Sequence, residues 1–171
     1  YSMKTELNDL EKEMGEMIAR KRYDLNRKNN TKDLAVLGKA FSDGISADIE
    51  GLWAELAFCK VAKIYPDEVF RLGYTSKRKG GDVGDAIING MHIDVKSTKT
   101  ETGRLITMQK NALVDSYVLL IGKEGKYRIA GAMKSSELCV PERYGHHKLF
   151  RVPCFMATQD ELIPWEKYSN A

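Results

Sequence analysis

The sequence predicts an α/β fold: a mixed central β-sheet flanked by helices, with an extra N-terminal helical segment. Three observations carry this. The first 64 residues hold two long stretches with helical spacing or helical burial. Asn89-Gly90, set between apolar residues, marks a tight β-hairpin. Tyr117 to Ile121 is an unbroken apolar run, as in a central strand buried on both faces. At 171 residues, 43% hydrophobic and 30% charged, the chain suits one domain with a real core. It divides into a helical extension (1–44), a core (45–140) and a C-terminal elaboration (141–171).

Lys4 to about Arg27 lacks Pro, and Gly15 is its one glycine. Leu7, Leu10, Met14, Met17 and Ile18 fall at helical spacing, so the segment reads as an amphipathic helix. Its end carries Arg20, Lys21, Arg22, Arg27 and Lys28, which suit phosphate binding and a favourable helix dipole equally. Asn29-Asn30-Thr31 breaks the helix, and a shorter one is expected to about Ala40. A second long helix is expected from an N-cap at Ser46 to about Ile64, ahead of Pro66. It is apolar almost all round from Leu52 onward, which implies burial. Strands are expected at Val69–Tyr74, Asp85–Ile88, Met91–Ser97, Tyr117–Ile121 and Tyr127–Met133, with a strand end at Leu105–Met108 and a helix over Met108–Val114. Thr158 and Glu161 form a capping-box pattern for a short last helix.

The totals exclude several classes. A net charge of +3 is too small to prove nucleic-acid binding by itself. Cys59, Cys139 and Cys154 make an odd count without a Cys-x-x-Cys, which argues against a disulfide framework and for a reducing, cytoplasmic setting. Adjacent His146 and His147 rarely aim at one ion and read as a polar loop, so zinc is not expected. No apolar run approaches the ~20 residues of a membrane span, and no signal peptide is recognisable. P-loop, dinucleotide and nucleophile motifs are absent.

The hairpin carries the chemistry. A two-residue turn sets Ile88 opposite Met91, Ile87 opposite His92, Ala86 opposite Ile93, and Asp85 opposite Asp94. Lys96, two residues beyond Asp94, points to the same face. Like charges directly opposite destabilise a hairpin, so a cation is expected there. Mg²⁺ is usually held by one or two carboxylates with water and substrate phosphate, and a neighbouring lysine orients hydroxide or stabilises phosphate charge. The bland alternative is an Asp94–Lys96 surface ion pair, worth ~0–1 kcal/mol. Glu55 lies in the apolar helix, where its helical neighbours Gly51, Leu52, Phe58 and Cys59 supply no cation. It must be exposed, paired through tertiary structure, or near a metal. Lys77, Arg78 and Lys79, followed by Gly80-Gly81, lead into the hairpin and are candidates for phosphate contact, as are Lys99, Arg104 and Gln109. Each is also a plausible solvated residue. Trp53 and Trp165 read as core.

Glu55 in a helix, then Asp85, then Asp94-Val95-Lys96, resembles the PD-(D/E)xK nuclease superfamily, whose core is restriction-endonuclease-like. Ser97-Thr98 and the segment Val114 to Ile121 add to the resemblance, which covers about Ala47 to Glu137. It implies a core of helix, three strands, helix and strand. It also implies that Asp85, Asp94 and the Val95 carbonyl bind Mg²⁺, with Mn²⁺ as substitute. Glu55 would reach the metal directly or through water, and Lys96 would orient or deprotonate the attacking water. No Pro precedes Asp85, where Val83-Gly84 stand instead, and Asp82 is the alternative ligand. The resulting expectation is a Mg²⁺-dependent nuclease, a DNA endonuclease of the kind found in phages and mobile elements. The alternative is a catalytically idle nuclease-fold domain that binds nucleic acid or a protein partner. The N-terminal helix would suit a homodimer. A glycosidase carboxylate pair, about 5–9.5 Å apart, fits directly opposed hairpin residues less well than a metal does.

Overall fold

The computed structural model describes residues 2–28, 44–71, 84–108 and 110–170. It is a mixed α/β fold in chain order β1 (Lys4–Glu6), α1 (Asp9–Lys28), α2 (Gly44–Ala62), β2 (Ala86–Ile88), β3 (Met91–Thr98), β4 (Leu105–Thr107), β5 (Ser116–Lys123), β6 (Lys126–Lys134), α3 (Ser135–Leu138), β7 (Tyr144–Gly145), β8 (Cys154–Ala157) and α4 (Trp165–Ser169). Five strands form one sheet in the order β1-β6-β5-β3-β2, and β4-β8-β7 form a second, smaller sheet. β3 and β5 are parallel neighbours, while β2 on β3 and β6 on β5 are antiparallel.

The apolar run becomes the centre of the large sheet. β5 is buried from Ser116 to Ile121 and has strands on both sides. Its alternate residues enter two cores. Val118 and Leu120 join Ile93, Val95, Ile129 and the α2 residues Leu52, Phe58 and Cys59. Tyr117, Leu119 and Ile121 join Leu105, Leu138, Ala157 and Leu162 on the other face. α1 packs outside α2 through Gly15, where an added Cβ would lie 2.6 Å from the Trp53 ring. The Trp53 indole N–H donates to the Lys12 carbonyl at 2.9 Å. Trp165 is buried and meets Phe58 edge to face.

Several expectations need correction. Residues 4–6 are a strand, not helix, because they pair with β6. α1 starts later, at a reciprocal cap between Asn8 and Glu11, each backbone N–H donating to the other's side chain at 2.8 Å. α2 begins at Gly44 rather than after Ser46. It ends in a Schellman arrangement, with Lys63 at φ 57 and Ile64 N–H on the Cys59 carbonyl at 3.0 Å. Val69 and Phe70 lie in a turn and not in a strand, and 72–74 fall outside the described residues. In place of the helix expected over Met108–Val114, the described residues hold only a turn at Ala112-Leu113. The Asn111 side chain takes the Leu113 N–H at 2.9 Å, the local competition that disfavours helix at Asn. The Thr158–Glu161 capping box is present, but it caps a single 3₁₀ turn, and α4 follows separately. The short helix expected up to Ala40 lies outside the described residues.

Candidate metal and catalytic site

Asn89 and Gly90 both have positive φ, 50° and 78°, so the turn is the tight form and the register follows. Ile88 pairs with Met91, Ile87 with His92 and Ala86 with Ile93. The regular ladder ends there. The Asp85 N–H donates at 2.8 Å to the Ile93 carbonyl, whose residue is already opposite Ala86. Two residues thus oppose one, a β-bulge. Gly84 makes this possible: its φ is +95°, and a Cβ there would lie 2.7 Å from the Ile93 oxygen. Asp85 is therefore not Asp94's ladder partner. Its carboxylate folds onto the strand instead, accepting the Val95 N–H at 2.7 Å and sharing a hydrogen bond with Asp94. N–H and C=O of one strand residue point to the same edge, so the Val95 carbonyl faces the edge that Asp85 covers.

Ile93 and Val95 belong to the core beneath α2, so Asp94 and Lys96 face away from it. Their parallel partners on β5 are Tyr117 and Leu119 of the second core. The charged face thus lies on the side of the small sheet, not between the long helices. Lys96 Nζ is 2.7 Å from Asp94 Oδ2. Glu55 approaches from the other side, its side chain 15% exposed. Among the described residues it pairs with Arg22 of α1, with Nη1 at 3.4 Å. The same guanidinium donates to the Glu68 carbonyl at 3.3 Å and to the Val69 carbonyl. Glu55 is thus paired through tertiary structure. Arg22 is a site residue that spacing alone assigned to phosphate or a helix dipole. Tyr117 is a second one, hydrogen-bonded to Thr107 and within electrostatic reach of Asp94 and Lys96.

Electrostatics tie these groups together. Burial, then the charges of Glu55 and Asp94, hold the Asp85 carboxyl well above the usual carboxylate range, against the lowering effect of the Val95 N–H. Burial, then Glu55 and Asp85, push the Cys59 thiol up to about 12. Burial alone would lower the Lys96 ammonium, but Asp94 and then Asp85 outweigh it and raise its pKa. Among the described residues, three carboxyl groups stand near two cations, Arg22 and Lys96. A hard divalent cation would favour the ionised form of Asp85 here. Among the described residues, no three His, Cys, Asp or Glu side chains gather closely enough to hold a metal by themselves. A cation here would rest on Asp85 and Asp94, with the Val95 carbonyl and solvent or substrate oxygens completing the shell.

Lys99 and Arg104 are exposed between β3 and β4. Arg104 and Lys148 lie near His147, where burial and then those charges lower the imidazole pKa. Lys77, Arg78, Lys79, Asp82 and Gln109 lie outside the described residues. A cleft of about 390 Å³ opens at the turn end of the hairpin, lined by Met91, Lys110, Ser116, Lys134 and Tyr168 among others, and does not include the carboxylates. No helix among the described residues is long and apolar enough to cross a membrane. All three cysteines are buried and free. No family model, curated protein or solved structure matches the chain.

Proposed function

We propose that this protein hydrolyses phosphodiester bonds of nucleic acid, as a Mg²⁺-dependent DNA endonuclease on a restriction-endonuclease-like core. One observation carries the reading. Asp85 is held against both Glu55 and Asp94, so that losing its proton adds a third carboxylate charge beyond what Arg22 and Lys96 balance among the described residues. The parallel β3–β5 pair, with the hairpin on one side of it, supports the core assignment. When bound, Mg²⁺ (or Mn²⁺) would supply Lewis acidity to the phosphate and acidify the attacking water.

Asp85 and Asp94 would hold the cation's charge, and the Val95 carbonyl would add an oxygen at the same edge. Glu55, anchored by Arg22, acts at longer range or through water. Lys96 stays protonated at neutral pH, because Asp94 and Asp85 raise its pKa against burial. It therefore orients water and offsets charge on the phosphorane-like transition state, and does not act as the resting general base. Lys99 and Arg104, with Lys77 to Lys79, are proposed to contact the phosphate backbone.

A specific observation favours the second reading, an idle nuclease fold that binds nucleic acid or a protein. Asp94 already has Lys96 as partner, and Asp85 already caps the Val95 N–H. Incubating supercoiled and linear DNA with purified protein, in Mg²⁺, Mn²⁺ or chelator, separates the two. Metal-dependent cutting lost in Asp94→Asn supports the nuclease. Binding that weakens with salt but never cuts supports the idle fold.

A further inference from the structure

We infer that the outward face of α1 is a self-association surface whose occupant is the same face of a second copy, packed antiparallel. This does not rest on the nuclease reading. α1 turns Gly15, Ile18 and Ala19 toward α2. Its larger apolar residues point the other way: Leu10 is 65% exposed, Met14 38% and Met17 54%. The other strongly exposed apolar side chains are scattered over separate elements, which is ordinary. These three instead line one helical stripe, at spacings of four and three residues.

Charge identifies the occupant. The first half of α1 is mainly acidic, with Asp9, Glu11, Glu13 and Glu16 against Lys12, and the second is mainly basic, with Arg20, Lys21, Arg22, Arg27 and Lys28 against Asp24. Within the chain Glu11 serves Lys60, Glu16 serves Arg20 and Arg22 serves Glu55. Glu13 and Lys21 are exposed, and neither forms an ion pair with another described residue. They are equidistant along the sequence from Met17. An antiparallel crossing at Met17 sets Met17 on Met17, flanks it with Met14 from each copy, and places Glu13 opposite Lys21 twice. Such self-complementarity is what a twofold interface requires. A parallel pairing would set acid on acid and base on base. One helix pair buries less than a standard interface of about 1,600 Å², so association in the micromolar range is expected.

Sedimentation of the full chain, over micromolar to millimolar concentrations and at low and high salt, reads the equilibrium. The expected result is a monomer–dimer system weakened by salt. Met17→Glu should weaken it at least roughly tenfold, with the thermal melt of the monomer unchanged. Glu13→Lys and Lys21→Glu should each weaken dimerisation several-fold, and combining them should restore it, because the swapped charges again face each other. A monomer throughout the range would overturn the proposal, as would a dimer indifferent to Met17→Glu or a double swap no better than its parents.

Discussion

Asp85→Asn, melted across pH in chelator, isolates the central electrostatic claim. Asn has nearly the shape of Asp, can still accept the Val95 N–H, and can donate to Asp94. The sign follows from the raised pKa of Asp85, caused by burial and then by Glu55 and Asp94. Below the unfolded value of about 3.9, native and unfolded chains both hold the proton and no penalty exists. Above it the unfolded chain ionises while native Asp85 keeps its proton. Stability then falls by about 1.4 kcal/mol per pH unit until native Asp85 also ionises. For a domain of this size that is roughly 3–6 °C per pH unit. Glu11, Glu161 and His147, whose pKa values are all lowered, contribute the opposite slope. Those slopes are common to both proteins and cancel in the difference. The Asn variant should therefore melt progressively higher than wild type as pH rises above 4. Calorimetry or circular dichroism gives the two curves. Parallel curves with a constant offset would refute the account, because Asp85 would then titrate alike in native and unfolded chains.

Mg²⁺ should raise the wild-type melting temperature at neutral pH; Asp85→Ala should erase that shift and Asp82→Ala leave most of it, measured by thermal melts with and without metal. Arg22→Ala removes the ion pair that a shielded Glu55 makes among the described residues and should cost about 2–4 kcal/mol in urea denaturation. Arg22→Lys should recover less than half of it, since a single ammonium cannot also serve the Glu68 and Val69 carbonyls. Gly84→Ala forces a side chain into a left-handed backbone 2.7 Å from the Ile93 oxygen and should destabilise by about 1–3 kcal/mol while lowering DNA cleavage. Gly51→Ala in α2, where a Cβ would meet nothing within 4 Å, should instead stabilise by about 0.5–1 kcal/mol without touching activity.

Local chemistry made some of this architecture legible. Asn-Gly can form only a few turns, so the hairpin register from Ala86 to Met91 could be read directly. The β5 run could be read because five consecutive apolar residues, three of them β-branched or aromatic, suit a strand covered on both faces. Strand β1 could not, since only Thr5 of Lys4-Thr5-Glu6 favours a strand, and the segment is one because β6 offers an edge. The bulge at Asp85 escaped because it depends on Gly84 adopting positive φ beside Ile93, a tertiary approach that the alternation of side chains does not encode. Arg22 escaped as a site residue because it meets Glu55 across 33 positions of sequence. The apolar spacing of α1 was visible, but periodicity gives a stripe and not its direction. Gly15, Ile18 and Ala19 settle on α2 because small residues allow close helix packing, and the bulkier stripe is left outside.

The ion pair between Asp94 and Lys96 bears on the choice between nuclease and idle fold less than its short distance suggests. An isolated half-exposed pair would be structurally sufficient if Asp94 were the only acid nearby. It is not: Asp85 shares a hydrogen bond with Asp94 and feels Glu55 from the opposite side. Removing Lys96 should therefore act in opposite directions under the two readings. In an idle fold, Lys96→Met removes one of the two cations that face these acids among the described residues, so stability falls and metal offers nothing. In a metal site the same variant leaves the acids poised for a cation, so the Mg²⁺-induced rise in melting temperature grows while cleavage is lost. Melts of Lys96→Met in chelator and in Mg²⁺ decide it. A destabilised variant with no metal response would set the nuclease reading aside.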